Sequence, residues 1–83
     1  MQLRSEDITW QEIDGELVIL DTARSVYLTT NASGAHLAKL LTVDRSLDDL
    51  ADALVDEYGI ERDTAVQDSE AFVAELRDKG LLR

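Results

Sequence analysis

The chain has 83 residues, of which 18 are acidic and 8 basic, giving a net charge of -10; it has no cysteine, no proline and one histidine. A chain this short buries only a little over ~60% of its unfolded surface, so residues 1–83 are expected to form one small domain without a deep, two-layered catalytic cleft. Lack of cysteine excludes disulfides, thiolate chemistry and cysteine-ligated metal, a single imidazole excludes a histidine-rich metal site, and the acid excess repels DNA and anionic membranes while favouring neutral or basic partners.

No stretch approaches the ~18 apolar residues of a membrane span, and Met1 to Trp10 is too polar for a signal peptide, so a cytoplasmic protein is expected. Residues 7–11, around Ile8-Thr9-Trp10-Gln11, predict a short first strand. Asp14-Gly15 is a hairpin turn signal, since glycine supplies a positive φ. Residues 17–21, Leu17-Val18-Ile19-Leu20-Asp21, predict a second strand that is apolar on both faces. The connection Asp21-Thr22-Ala23-Arg24 is short enough to make the third strand, 25–30, antiparallel to the second.

The period then changes from two to about 3.6. A first helix over 32–42 is capped by Asn31 and turns Leu37, Leu40 and Leu41 to one face. A second over 47–58 opens on Ser46 with Asp49 three residues on, carries the stripe Leu47, Leu50, Ala51, Leu54 and Tyr58, and ends at a left-handed Gly59. A third over 63–79 turns Val66, Phe72, Val73 and Leu76 inward and stops at Gly80, after which Leu81 and Leu82 fold back on the core. A three-stranded antiparallel sheet followed by three helices is an α+β arrangement, close to a winged helix-turn-helix.

That architecture invites a DNA-binding reading, which the side chains oppose. A recognition helix presents Arg, Lys, Asn or Gln to a groove. "SLDDLADALVDEY" has five carboxylates and no basic residue, and the third helix has Arg77 and Lys79 only at its end, where they suit the helix dipole. Catalysis fares no better. His36 lies beside the apolar face of the first helix and reads as a surface histidine, and Asp48-Asp49 and Asp56-Glu57 read as solvated helix charges. The chain's size and acidity are similar to those of acyl carrier proteins. Those lack a β-hairpin, however, and carry Asp-Ser-Leu where this chain has Asp68-Ser69-Glu70; Ser69 is expected to face a neighbouring strand or solvent.

The third strand, "SVYLTT", has none of the Pro, Lys or bulge devices that guard an edge. An extended peptide could pair with it, taking main-chain hydrogen bonds from the strand and specificity from pockets under alternate residues. Alternatively, the domain's own third helix covers that edge. The residues leave both open.

Asp14-Gly15, "VILD" (18–21), "VYLTTNASGAHLAKLL" (26–41) and "FVAELRDKGLL" (72–82) together resemble the PqqD family, and more closely the stand-alone leader-binding proteins of lasso peptide biosynthesis, which are RiPP recognition elements (domains that recognise the leaders of ribosomally made, modified peptides). The family's Tyr-x-x-Leu-Asn-x-x-Gly stands here as Tyr27-Leu28-Thr29-Thr30-Asn31-Ala32-Ser33-Gly34, its Leu-Leu pair as Leu40-Leu41, and its terminal Gly-Leu-Leu as Gly80-Leu81-Leu82. Thr30 replaces the usual Leu, and Ala38 a common bulky aromatic.

The resemblance implies a non-enzymatic protein without a cofactor. It would bind the leader peptide of a precursor as a strand antiparallel to the third strand, in the cleft beside the third helix. It would then deliver the precursor to a cysteine-protease-like leader peptidase and an ATP-dependent macrolactam synthetase. The alternatives are a PqqD-like chaperone for another modification pathway and an acidic structural domain that binds no peptide. The residues expected to hold the leader are Ser25, Val26, Tyr27, Leu28 and Thr29 on the strand, and Asp68, Ala71, Phe72, Glu75, Leu76 and Lys79 on one face of the helix. Phe72 and Leu76 read equally well as core, and core is the expected place of Val26 and Leu28, with Tyr27 on the opposite pleat.

Overall fold

The structure, a computed structural model, describes Met1–Arg83. Strands β1 (Ile8–Ile13), β2 (Glu16–Asp21) and β3 (Val26–Thr30) are followed by helices α1 (Ala32–Leu40), α2 (Leu47–Tyr58) and α3 (Arg62–Asp78). The sheet is antiparallel, in the order β1-β2-β3, and the whole is an α+β fold of the winged-helix kind.

Local chemistry explains each junction. Asp14 and Gly15 both have positive φ, 53° and 81°, the backbone of a two-residue hairpin whose twist matches its strands. Pairing runs from Ile8 opposite Asp21 to Ile13 opposite Glu16, so β1 extends two residues beyond the expected end at 11. Between β2 and β3, Asp21 Oδ1 accepts from the backbone N–H groups of Ala23 (3.1 Å) and Arg24 (3.2 Å) and so folds the turn. Ser25, expected within the third strand, instead completes this turn with φ 55°.

Asn31 caps α1 by accepting from Gly34 N–H at 2.9 Å. Ser46 and Asp49 form a reciprocal capping box at 3.1 and 3.0 Å on α2, which ends on Gly59 at φ 63°. At the end of α3, Leu81 N–H donates to Leu76 C=O (2.9 Å) and Gly80 N–H to Arg77 C=O (3.0 Å), the paired bonds of a Schellman motif. The motif turns the chain so that Leu81 is fully buried and Leu82 bridges Leu3.

One core joins sheet and helices: Leu17, Ile19 and Leu28 from the strands meet Leu37, Leu41, Leu50, Leu54, Phe72, Val73 and Leu76. Period-two alternation sends Leu20 and Tyr27 to the sheet's outer face. Arg62 ties α3 to α2 through ion pairs with Asp48 and Asp52.

Two expectations are corrected. Tyr58 does not complete the buried stripe of α2; the last turn carries it out of the core, where it is exposed and meets His36 edge-on, with ring centroids 6.4 Å apart. Ser69 does not face solvent: it is fully buried, on the side of α3 that also carries Ala65, Phe72, Val73 and Leu76, and its Oγ has no hydrogen-bond partner. A serine so enclosed has no room for a prosthetic arm.

Candidate functional site

β3 pairs with β2 on one side only, so its other backbone edge carries N–H and C=O groups with no strand to receive them. The third helix does not cover that edge. α3 packs chiefly on α2, and a groove separates it from β3.

The groove consists of two joined hollows. The first, of about 450 Å³, has Ser25, Val26, Tyr27, Leu28 and Thr29 on its strand side and Glu75 and Lys79 on its helix side. The second, of about 350 Å³, continues past the end of β3, with Asp68, Ala71, Phe72 and Glu75 from α3 facing Thr29, Thr30, Asn31, Ser33 and Gly34. Thr29 and Glu75 belong to both and so join them. Ten of the eleven residues singled out from the sequence therefore line one groove. Leu76 does not; it is fully buried in the core, as its apolar neighbours on α3 allow.

Sequence reasoning passed over Thr30, Asn31, Ser33, Gly34, Leu37 and Leu54, which complete the second hollow. Gly34 carried a signal. A Cβ built there would lie 3.3 Å from Phe72 Cε1 and 3.0 Å from Thr30 Cβ, so glycine lets the first turn of α1 meet the Phe72 ring without crowding. Leu37 and Leu54 gave none beyond their apolar helical spacing, which reads as core.

Ala71 is exposed, leaving space between β3 and the helix, and Phe72, 9% exposed, forms an apolar base beneath it. Asp68 and Glu75 are exposed carboxylates without ion-pair partners, while Lys79 is half-buried at the opposite end. The groove thus runs from an acidic end beside Thr30 to a basic end beside Ser25. β3 has five residues, and the edge it offers is about 17 Å long, enough to pair with a short extended segment.

A buried charge lies just outside the basic end. Asp21, fully buried, is held by Arg24 Nε (2.9 Å) and by Arg4. The hydrogen bond from the Arg24 side chain does most to lower its pKa, to about 2, against the opposing effect of burial.

Comparison with known proteins follows the same lines. The family model described as coenzyme PQQ synthesis protein D (PqqD) matches residues 16–82. No curated protein sequence matches the chain. A solved structure of TbiB1 in complex with the TbiA(beta) leader peptide superposes with a TM-score of 0.86 at 29% identity, covering 100% of this chain and 95% of that one. A lasso peptide synthetase B1 complexed with the leader peptide superposes with a TM-score of 0.81 at 31% identity, covering 96% of this chain and 93% of the other.

Proposed function

The chain belongs to the PqqD family, and from that premise we propose that it binds the leader peptide of a ribosomally made precursor in lasso peptide biosynthesis. The leader adds as a fourth strand, antiparallel to β3, in the groove between β3 and α3. The observation that carries this reading is the unpaired, unguarded edge of β3 facing a groove, in a chain similar to two solved complexes with leader peptides.

Affinity comes from main-chain hydrogen bonds along Val26–Thr29, and specificity from alternate side chains entering the hollow over Ala71 and Phe72. Asp68 and Glu75 favour basic leader residues, and Lys79 an acidic one, each exposed pair contributing at most about 1 kcal/mol. An antiparallel peptide places its N-terminal part beside Thr30 and leaves past Ser25. The protein's role is recognition. It holds the precursor for a cysteine-protease-like leader peptidase and an ATP-dependent macrolactam synthetase, which carry out the chemistry in the cytoplasm.

A second reading, recognition of a precursor for a different modification, is favoured by the description of the family model, which is a coenzyme PQQ synthesis protein. Titration separates the two. A fluorescently labelled synthetic leader, taken from the precursor encoded beside the gene, is added to the protein and its anisotropy followed. Saturable binding by a lasso-type leader supports the first reading; binding only by a leader of another class supports the second, and no binding by either overturns both.

A further inference from the structure

The two walls of the groove have little direct packing between them, so something else sets their separation. At the Thr30 end, the close approach of Phe72 to Gly34 brings α3 against the start of α1. At the Ser25 end the link is polar. Arg24 Nε donates to the buried Asp21 carboxylate (2.9 Å), and its Nη2 donates across to the C=O groups of Lys79 (2.7 Å) and Gly80 (3.3 Å) at the end of α3. Arg4 makes a parallel link, donating from Nε to Gly80 C=O at 2.8 Å and from Nη2 to Asp21.

We propose that Arg24 is a positioning residue, a strap from the β2–β3 turn to the C-terminal end of α3 that sets the width of the groove where β3 begins. The proposal deepens the leader-binding reading and rests on it for its functional meaning. Four features support it. Arg24 immediately precedes Ser25, and the carbonyl it holds belongs to Lys79, so the strap runs from the neighbour of a lining residue on one wall to a lining residue on the other. The planar guanidinium reaches a carboxylate and two carbonyls at once, a fork that an ammonium cannot reproduce. Gly80 provides the seat: at φ 68° it ends the helix, and a Cβ there would run into the Arg24 guanidinium. The positive charge also meets the carbonyl end of α3, where the helix dipole favours it.

Arg4 keeps Asp21 paired when Arg24 is removed, so Arg24→Ala is expected to fold. The natural chain has no cysteine, so paired spin labels can be placed cleanly. Labels at Tyr27→Cys and Ala74→Cys report the distance across the groove, and labels at Asp56→Cys and Glu70→Cys report α2 against α3 as a control. The expected result for Arg24→Ala is a longer, broader distribution across the groove with the control distance unchanged. A general loosening of the fold would broaden both. Arg24→Lys, which keeps the charge without the fork, is expected to fall between the two and is read in the same way should the alanine variant fail to fold. A groove distribution in these variants that superposes on the parent's, or a broadening shared equally with the control pair, would overturn the proposal. The measurement uses no peptide, so its outcome stands apart from whether the protein binds a leader.

Discussion

Gly34, in the first turn of α1, and Phe72, midway along α3, meet so closely that a single methyl group at position 34 would lie 3.3 Å from the ring and 3.0 Å from Thr30 Cβ. Alanine is ordinarily the better helix residue by about 1 kcal/mol. Here Thr30 is held by its strand and Phe72 by the core, so overpacking of about 1–3 kcal/mol opposes that gain. Gly34→Ala is expected to lower the urea midpoint slightly and Gly34→Val to lower it clearly; a midpoint raised by valine would mean that the contact is slack.

The orphaned hydroxyl of Ser69 gives a prediction of opposite sign. It is fully buried without a partner, so Ser69→Ala removes an unsatisfied polar group and improves helix propensity. Stability should rise by about 1–2 kcal/mol in chemical denaturation. A loss of stability would show that the hydroxyl is bonded in solution.

Asp21 governs the response to acid. Its pKa in the folded chain, about 2, lies below the ordinary 3.8, so the stability it confers is complete above about pH 4 and is lost as pH falls through about 2. Carbon-detected NMR of the side-chain carboxylates should find Asp21 still ionised at a pH where exposed aspartates are half protonated. Titration alongside those aspartates would mean that neither arginine holds it.

Punctuation was the most legible part of the sequence. Asn31, Ser46 with Asp49, Gly59 and Gly80 act within one turn of themselves, so residue type alone is enough to locate helix ends. The edge of β3 was legible as an unguarded run, but whether α3 covered it depends on how helix and sheet are spaced, which no local pattern encodes. Leu76 and Phe72 have the same helical spacing, yet one is sealed and the other floors the groove. Ser69 was hidden by its neighbours, since Asp68 and Glu70 make the window look solvated while the helix turns the serine inward. Asp21 escaped notice because a turn carboxylate is usually exposed, and Arg4, one of its two partners, lies 17 residues away.

Ala71 tests the groove itself. It is exposed on α3 and lines the hollow beside Phe72, so Ala71→Trp should fill the space without disturbing the fold. Loss of one well-buried apolar peptide contact corresponds to about 1.5–3 kcal/mol, or roughly ten- to a hundredfold weaker leader binding in the anisotropy titration. A folded variant that binds as tightly as the parent would place the leader elsewhere.

The sheet has two edges, β1 and β3, and the leader is assigned to the second. Residue-resolved amide hydrogen exchange, followed by NMR with and without the leader, distinguishes them directly. Strand addition at β3 is expected to slow exchange at outward-pointing amides among Val26–Thr29 and leave the outer amides of Ile8–Ile13 unchanged. Protection along β1, or saturable binding with no change at β3, would contradict it.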